Sequence, residues 1–232
     1  FPQALLFAGP AGTGKTSASH VIAKYMLGEN YDAINFIESN ASDDRGIDFV
    51  RSELKTAMRS KGLGVSRKVI LLDEADGLTS AAQDAMRQLI EKYSKNALII
   101  MTCNEIEKIR PAIRSRCKIY RFKPVSPEDG AKRLYTLLLP MHQRNVVSYS
   151  LHKLVELMNA DLRACIMFLD SIDIDDLVDR VEMLEALTVD NSAQLASDGD
   201  WEKLRRNLHG LLNTGQSLHQ VLYGFYKNIY SH

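Results

Sequence analysis

The chain has 232 residues, enough for one large or two small domains, and its 45% hydrophobic and 25% charged residues are those of an ordinary globular protein. No apolar run nears the roughly 18 residues of a membrane span, so no membrane partner is expected, and a net charge of zero excludes a general polycation. Three widely spaced cysteines (Cys103, Cys117, Cys165) exclude a disulfide or zinc framework and read as buried thiols in a reducing compartment.

Residues 4–8 form a short apolar run, the pattern of a buried parallel strand. It opens almost at Phe1, so further sequence is expected upstream. Gly9, Pro10, Ala11, Gly12, Thr13, Gly14, Lys15 and Thr16 then fit G-x-x-x-x-G-K-[ST], a phosphate-binding loop. The glycines let successive N–H groups turn inward toward phosphate oxygens, and the following helix adds its positive dipole end. Lys15 reaches the outer phosphates and the Thr16 hydroxyl is a Mg²⁺ ligand. That helix is expected from Ala18, Val21, Ile22, Tyr25 and Met26 at helical spacing, with Gly28 as its stop.

A second strand is expected at residues 34–38, then a polar turn over 39–46, then a helix with Ile47, Val50, Leu54, Ala57 and Met58 on one face. Residues 69–72 are a third buried strand, delivering Asp73, Glu74 and Asp76 at its C-terminal end. Thr79 or Ser80 caps the next helix. Residues 97–104 are a fourth strand with Asn104 at its polar tip, and residues 118–122 alternate as a fifth. Strands alternating with helices over residues 1–125 imply a parallel α/β sheet, in which ligands sit beyond the C-terminal strand ends. Gly9, Asp73 and Asn104 all fall at such ends.

Strand patterns stop at residues 123–127. Ser126 caps a helix with Pro127 at its first position, and helical patterns follow at about 127–139, 148–158, 161–171 and 174–187. Residues 126–187 are therefore a second, all-helical domain. A third piece, 188–232, shows helical patterns around Trp201 to Leu211 and Leu218 to Ile229, too little to bury a core alone.

A carboxylate after a buried strand holds Mg²⁺, and an acid one residue on can polarise an attacking water; these are the roles read for Asp73 and Glu74. Asp76 reads as a helix or turn cap. Asn104 either orients that water or is a turn residue. Arg116, clustered with Arg110 and Arg114, is either part of a solvated basic face or an arginine finger supplied to a neighbouring subunit. Charge is segregated: residues 51–68 carry six Lys/Arg and one Glu, 107–123 seven Lys/Arg and one Glu, and 170–190 eight acids and one Arg. Two basic segments flanking a nucleotide site make an anionic partner worth weighing against plain solvated faces.

G-P-A-G-T-G-K-T at 9–16, L-L-D-E-A-D at 71–76, T-C-N at 102–104 and S-R-C at 115–117 resemble the AAA+ ATPases, and more narrowly the clamp loader small subunits of the replication factor C type. E-S-N-A-S-D-D-R-G at 38–46 and A-A-Q-D-A-M-R at 81–87 are similar to that family too. The resemblance implies a five-stranded P-loop sheet with helices on both faces, a helical lid domain and a partial helical collar at 188–232 for oligomerisation. It implies ATP and Mg²⁺ as cofactors, Asn104 as sensor 1, Arg116 as a finger acting in trans, and Arg163, in Asp161-Leu162-Arg163, as sensor 2. Family members usually carry Gly where Ala160 stands, and Arg163 has a plain alternative as a surface helix residue. Arg45 and Arg87 match positions near DNA phosphates, and residues 56–64 match a clamp-contacting stretch. The implied partners are other loader subunits in a hetero-oligomer, expected to be pentameric, a ring-shaped sliding clamp and primer-template DNA, inside the cell in the cytoplasm, nucleoid or nucleus. The chain is expected to be a fragment, lacking an upstream adenine-enclosing segment and most of the collar. The alternatives are another AAA+ DNA-processing ATPase or a non-hydrolysing structural subunit of the same assembly.

Overall fold

A computed structural model describes residues 2–42, 46–138, 148–186, 195–196 and 198–213. The chain divides into two compact units, Phe1–Val125 and Ser126–His232.

The first unit is built on a five-stranded sheet in the order β2-β3-β4-β1-β5. The strands are β1 (Ala4–Ala8), β2 (Phe36–Asn40), β3 (Lys68–Asp73), β4 (Ala97–Cys103) and β5 (Cys117–Arg121), and every pairing is parallel. Strands covered on both faces show no polar alternation, which is why β1, β3 and β4 read as continuous apolar runs. Their side chains divide by parity. Leu6, Ile70, Leu72, Ile99 and Met101 share one core cluster with Phe49, Leu54, Met86 and Ile90. Leu5, Phe7, Val69, Leu71, Leu98 and Ile100 share the other with Ala23 and Leu27. One face is thus covered by α1 (Lys15–Leu27). The other is covered by α2 (Ile47–Phe49), α3 (Lys55–Arg59), α4 (Ser80–Tyr93) and the short α5 (Pro111–Arg114). Helices on both faces is the expected layering.

Two local readings shift. The second strand starts at Phe36 and not at residue 34, because Asp32 Oδ1 accepts from the backbone N–H groups of both Ile34 and Asn35, at 2.9 Å each, and holds them in a turn. Between α2 and α3 the helix widens into a π turn at Val50–Leu54. The wider turn seats Phe49 in the core beside Val50, Leu54 and Met58, and leaves Ile47 and Ala57 only half-buried.

Two groups pin the loops around this sheet. Asn35, wholly buried, donates to Leu63 O at 3.0 Å and accepts from Leu63 N at 2.9 Å, which ties down the turn at 60–64. Thr79 is the residue that caps α4, accepting from Ala82 N at 3.2 Å.

The second unit is helical among its described residues, with α6 (Pro127–Leu138), α7 (Ser148–Leu157), α8 (Leu162–Asp170), α9 (Leu177–Ala186) and α10 (Trp201–Asn213). Leu134, Leu151, Leu154, Val155, Cys165, Leu177 and Val181 form its buried interior. Asp129 N donates to Ser126 Oγ at 3.1 Å ahead of α6, and Asp161 Oδ1 caps α8 through Arg163 N and Ala164 N at 3.0 and 3.1 Å. Ala160 adopts φ 60°, the left-handed conformation a glycine would take, so α8 starts after Asp161 despite the missing glycine. The expected helix at 218–229 lies outside the described residues. No helix among the described residues is long and apolar enough to cross a membrane.

Candidate nucleotide-binding site

β1 ends where the chain must curl back over the sheet edge shared with β5. Gly9 N donates to Cys103 O at 3.2 Å, and a Cβ on Gly9 would stand 2.2 Å from Phe122 O. Only glycine allows that approach. Gly12 and Gly14 follow at φ 69° and 86°, left-handed positions that aim the loop backbone back over the strand end. Thr13 Oγ1 closes the loop onto Pro10 O at 2.8 Å. Among the described residues, the N–H groups of Gly12, Thr13 and Gly14 donate to no other group, the donor set an anion needs at a helix N-terminus. Ala11 forms the exposed tip of the loop.

Lys15 is 8% exposed. Its Nζ donates to Gly9 O and Pro10 O, both at 2.7 Å, and to Asn104 Oδ1 at 2.9 Å. The cation is therefore folded under the loop and joined to the tip of β4. Thr16 Oγ1 lies 3.1 Å from each carboxylate oxygen of Asp73 at the end of β3. A hydroxyl facing a carboxylate is an all-oxygen pair, the donor type a hard divalent cation prefers. The site residues fit both a polyphosphate and Mg²⁺.

Glu74 leaves β3 in the left-handed conformation, φ 53° and ψ 43°, unusual for a residue with a Cβ and costing on the order of 1–2 kcal/mol. The kink directs Glu74 away from the line of Asp73, and its Oε2 accepts from Ser42 Oγ at 2.5 Å. The backbone N–H of Glu74 donates to Thr102 Oγ1 at 3.1 Å, and that hydroxyl donates in turn to Asp73 Oδ1. Asp76 caps a turn, but on the neighbouring strand. Its Oδ2 accepts from Asn104 N at 3.1 Å and Glu105 N at 3.0 Å, which fixes the backbone that carries the Asn104 amide.

The structure thus brings Lys15, Thr16, Asp73, Glu74 and Asn104 together from three strand ends. Ser42, Thr102 and Asp76 complete the network. The first two lie inside the motifs at 38–46 and 102–104 but carry no role in the sequence reading, and Asp76 is a cap, though for the turn after β4.

Arg116 stands apart from this group. Its Nε donates to Glu91 Oε1 at 2.6 Å and its Nη1 to Ala112 O at 2.6 Å; Nη2 also pairs with Glu91. Arg110, in the same basic cluster, pairs with Asp84 at 3.2 Å, and Gln83 accepts from its backbone N–H at 2.8 Å. The arginine-bearing segment is therefore fastened to α4. Arg87 lies on α4, half-buried, with an Nε that meets no hydrogen-bond partner among the described residues. Arg163 is an exposed side chain in the first turn of α8 in the second unit. Arg45 lies outside the described residues.

Comparison with known proteins follows the same outline. The family model "ATPase family associated with various cellular activities (AAA)" matches residues 5–125. The chain is 35% identical to the replication factor C small subunit of Staphylothermus marinus, over 98% of this chain and 71% of the relative. It is 40% identical to replication factor C subunit 3 of Saccharomyces cerevisiae and 41% to the probable replication factor C subunit 5 of Dictyostelium discoideum. Those matches cover 76% and 75% of this chain but only about half of each relative, 54% and 50%. Thermotoga maritima RuvB superposes with a TM-score of 0.56 at 16% identity, over 77% of this chain and 61% of that one, a likeness of fold. The chain belongs to the AAA ATPase family and, within it, to the replication factor C small subunits.

Proposed function

We propose that the chain binds and hydrolyses ATP as one subunit of a loader that opens a DNA sliding clamp and places it on primer-template DNA. The observation that carries this reading is the convergence of Lys15, Thr16, Asp73, Glu74 and Asn104 from three strand ends, a set a merely structural subunit has no use for. ATP with Mg²⁺ supplies the phosphoryl group to be transferred to water and a counter-charge for it. The loop N–H groups and Lys15 bind the phosphates, and Thr16 with Asp73 holds the cation. Glu74 keeps one carboxylate oxygen on Ser42 and presents the other to water as the general base. Asn104, with its Oδ1 on Lys15, has its amide N–H groups left to orient that water or the terminal phosphate.

In this reading Arg116 completes a neighbouring subunit's site, Arg163 reports on the nucleotide from the second domain, and Arg45 and Arg87 contact DNA phosphates without reading sequence. Residues 126–187 are the lid, and 188–232 begin the collar that joins this subunit to others in a pentamer. The test is turnover by the full-length protein assembled with its partner subunits, with and without clamp and primed DNA. Glu74→Gln keeps ATP binding and abolishes turnover; Arg116→Ala leaves this subunit's ATP affinity intact and silences the adjoining site, a loss of about 10³-fold or more. An ATPase indifferent to clamp and DNA would refute the loader reading in favour of another DNA-processing ATPase.

A further inference from the structure

Thr102 is 1% exposed and follows Leu98 and Ile100 along the α1-facing side of β4, where a valine would pack equally well. Burying a hydroxyl there is unfavourable unless it is bonded. It is bonded on both sides: its proton goes to Asp73 Oδ1 and its lone pair receives the N–H of Glu74 at 3.1 Å. The β3–β4 ladder runs in register to Leu72 beside Met101. At Glu74 the backbone turns left-handed and leaves that ladder, and the Thr102 hydroxyl takes over as acceptor for its N–H. One side chain thus satisfies the strained backbone of Glu74 and orients the carboxylate of Asp73.

We propose that Thr102 is a positioning residue for hydrolysis. It holds Glu74 in its left-handed turn and fixes the direction of the Asp73 carboxylate, while touching neither nucleotide nor water itself. The proposal rests on the assignment of Asp73 and Glu74 in the preceding section. A β-branched residue without the hydroxyl preserves packing and ATP binding by the loop. It releases the Glu74 backbone and lets the Asp73 carboxylate rotate.

The experiment compares Thr102→Val, Thr102→Cys and Thr102→Ser in the full-length protein assembled with its partner subunits, with Glu74→Gln alongside. Measured are ATP affinity, the Mg²⁺ concentration that half-saturates ATP binding, turnover, and thermal unfolding without nucleotide. Val and Cys are expected to lower turnover about 10- to 100-fold, the usual cost of removing an outer partner of a metal-binding carboxylate. ATP affinity at saturating Mg²⁺ stays within about threefold and the half-saturating Mg²⁺ rises several-fold. Ser restores turnover to within about threefold of wild type because it keeps the hydroxyl. Turnover by Val or Cys within twofold of wild type overturns the proposal. So does a Ser variant as slow as Val, or a loss of ATP affinity equal to the loss of turnover, since either would make the role one of packing. If Val does not fold, Cys is judged by the same criteria. Normal turnover by Glu74→Gln would instead sink the assignment of the general base; an inactive Glu74→Gln beside a normal Thr102→Val sinks only the role of Thr102.

Discussion

Replacing Gly9 by alanine tests whether the phosphate-binding loop is built on a backbone-to-backbone approach. The added Cβ would lie 2.2 Å from Phe122 O, 3.0 Å from Phe122 C and 3.0 Å from Phe122 Cβ. Two of these three atoms are backbone, and Phe122 cannot simply retreat. Its N–H donates to Ala8 O at 2.7 Å, and β1 and β5 are in register up to Ala8 beside Arg121. Relief requires parting the end of that ladder or tilting the loop. Overpacking of this kind costs about 1–3 kcal/mol, and the rigid partner places Gly9→Ala near the upper end, at about 3 kcal/mol. For a unit of about 125 residues that is a fall in Tm of roughly 9–15 °C. Gly14→Ala is the control. Gly14 sits at φ 86° with nothing within 4 Å of its added Cβ, so it meets the left-handed penalty alone, about 1–2 kcal/mol. Thermal and urea unfolding of both variants, without nucleotide, separates a steric clash from a conformational preference. A Gly9→Ala protein as stable as wild type, or less destabilised than Gly14→Ala, would refute the close-approach argument.

Three further outcomes are expected. Cys103, Cys117 and Cys165 are each pushed up to about 12 from the ordinary 9.0, chiefly by burial. Thiol alkylation at pH 8 should therefore run about 10³-fold slower in the folded chain than in urea, as followed by mass spectrometry. Because the folded state holds these protons more tightly, their contribution to stability is complete below about pH 9 and is lost as the pH rises from there toward 12; a urea midpoint unchanged between pH 8 and 11 would contradict it. Ala160→Gly should stabilise the second unit by about 0.5–1 kcal/mol, since it relieves a left-handed alanine while adding some unfolded-state entropy. A lower urea midpoint in that variant would show that packing of the Ala160 methyl outweighs the backbone.

The sheet was legible wherever burial on both faces leaves a continuous apolar run, as in β1, β3 and β4. It was less legible at the edge. β2 is only partly buried, and its start is set by the Asp32 carboxylate four residues before it and by Asn35 reaching Leu63, so the apolar pair Ile34 and Phe36 does not fix the boundary. The helix after it was legible in Val50, Leu54 and Met58, which are buried, and in Ala57, which packs against the same core; Phe49, buried beside them ahead of the π turn, lay outside the pattern. In the site, Lys15, Thr16, Asp73 and Glu74 could be named because their chemistry demands fixed spacing along a single strand and the turn after it. Ser42, Thr102 and Asp76 could not be given their roles in this way, because those roles exist only across strands.

That distinction explains how the site is held together. Asp73, Glu74 and Asn104 are each fastened by a residue whose role exists only across strands. Ser42 and Thr102 grip Glu74 from opposite ends, one at the carboxylate and one at the amide. Asp76 grips the backbone of Asn104, whose amide oxygen holds Lys15. Thr102 also grips Asp73, which faces Thr16 on the loop helix. Two chains of hydrogen bonds therefore run across the strand ends, Asp76–Asn104–Lys15 and Ser42–Glu74–Thr102–Asp73–Thr16, and both terminate at the start of α1. A group bound at that helix start meets Lys15 and Thr16 first, and these chains join the two side chains to Asn104 and Glu74. Under the proposed function, the side chains assigned to phosphate and cation are in this way joined by hydrogen bonds to the residues assigned as base and as water-orienting amide. The register between β3 and β4 sets the strand ends from which these partners reach one another.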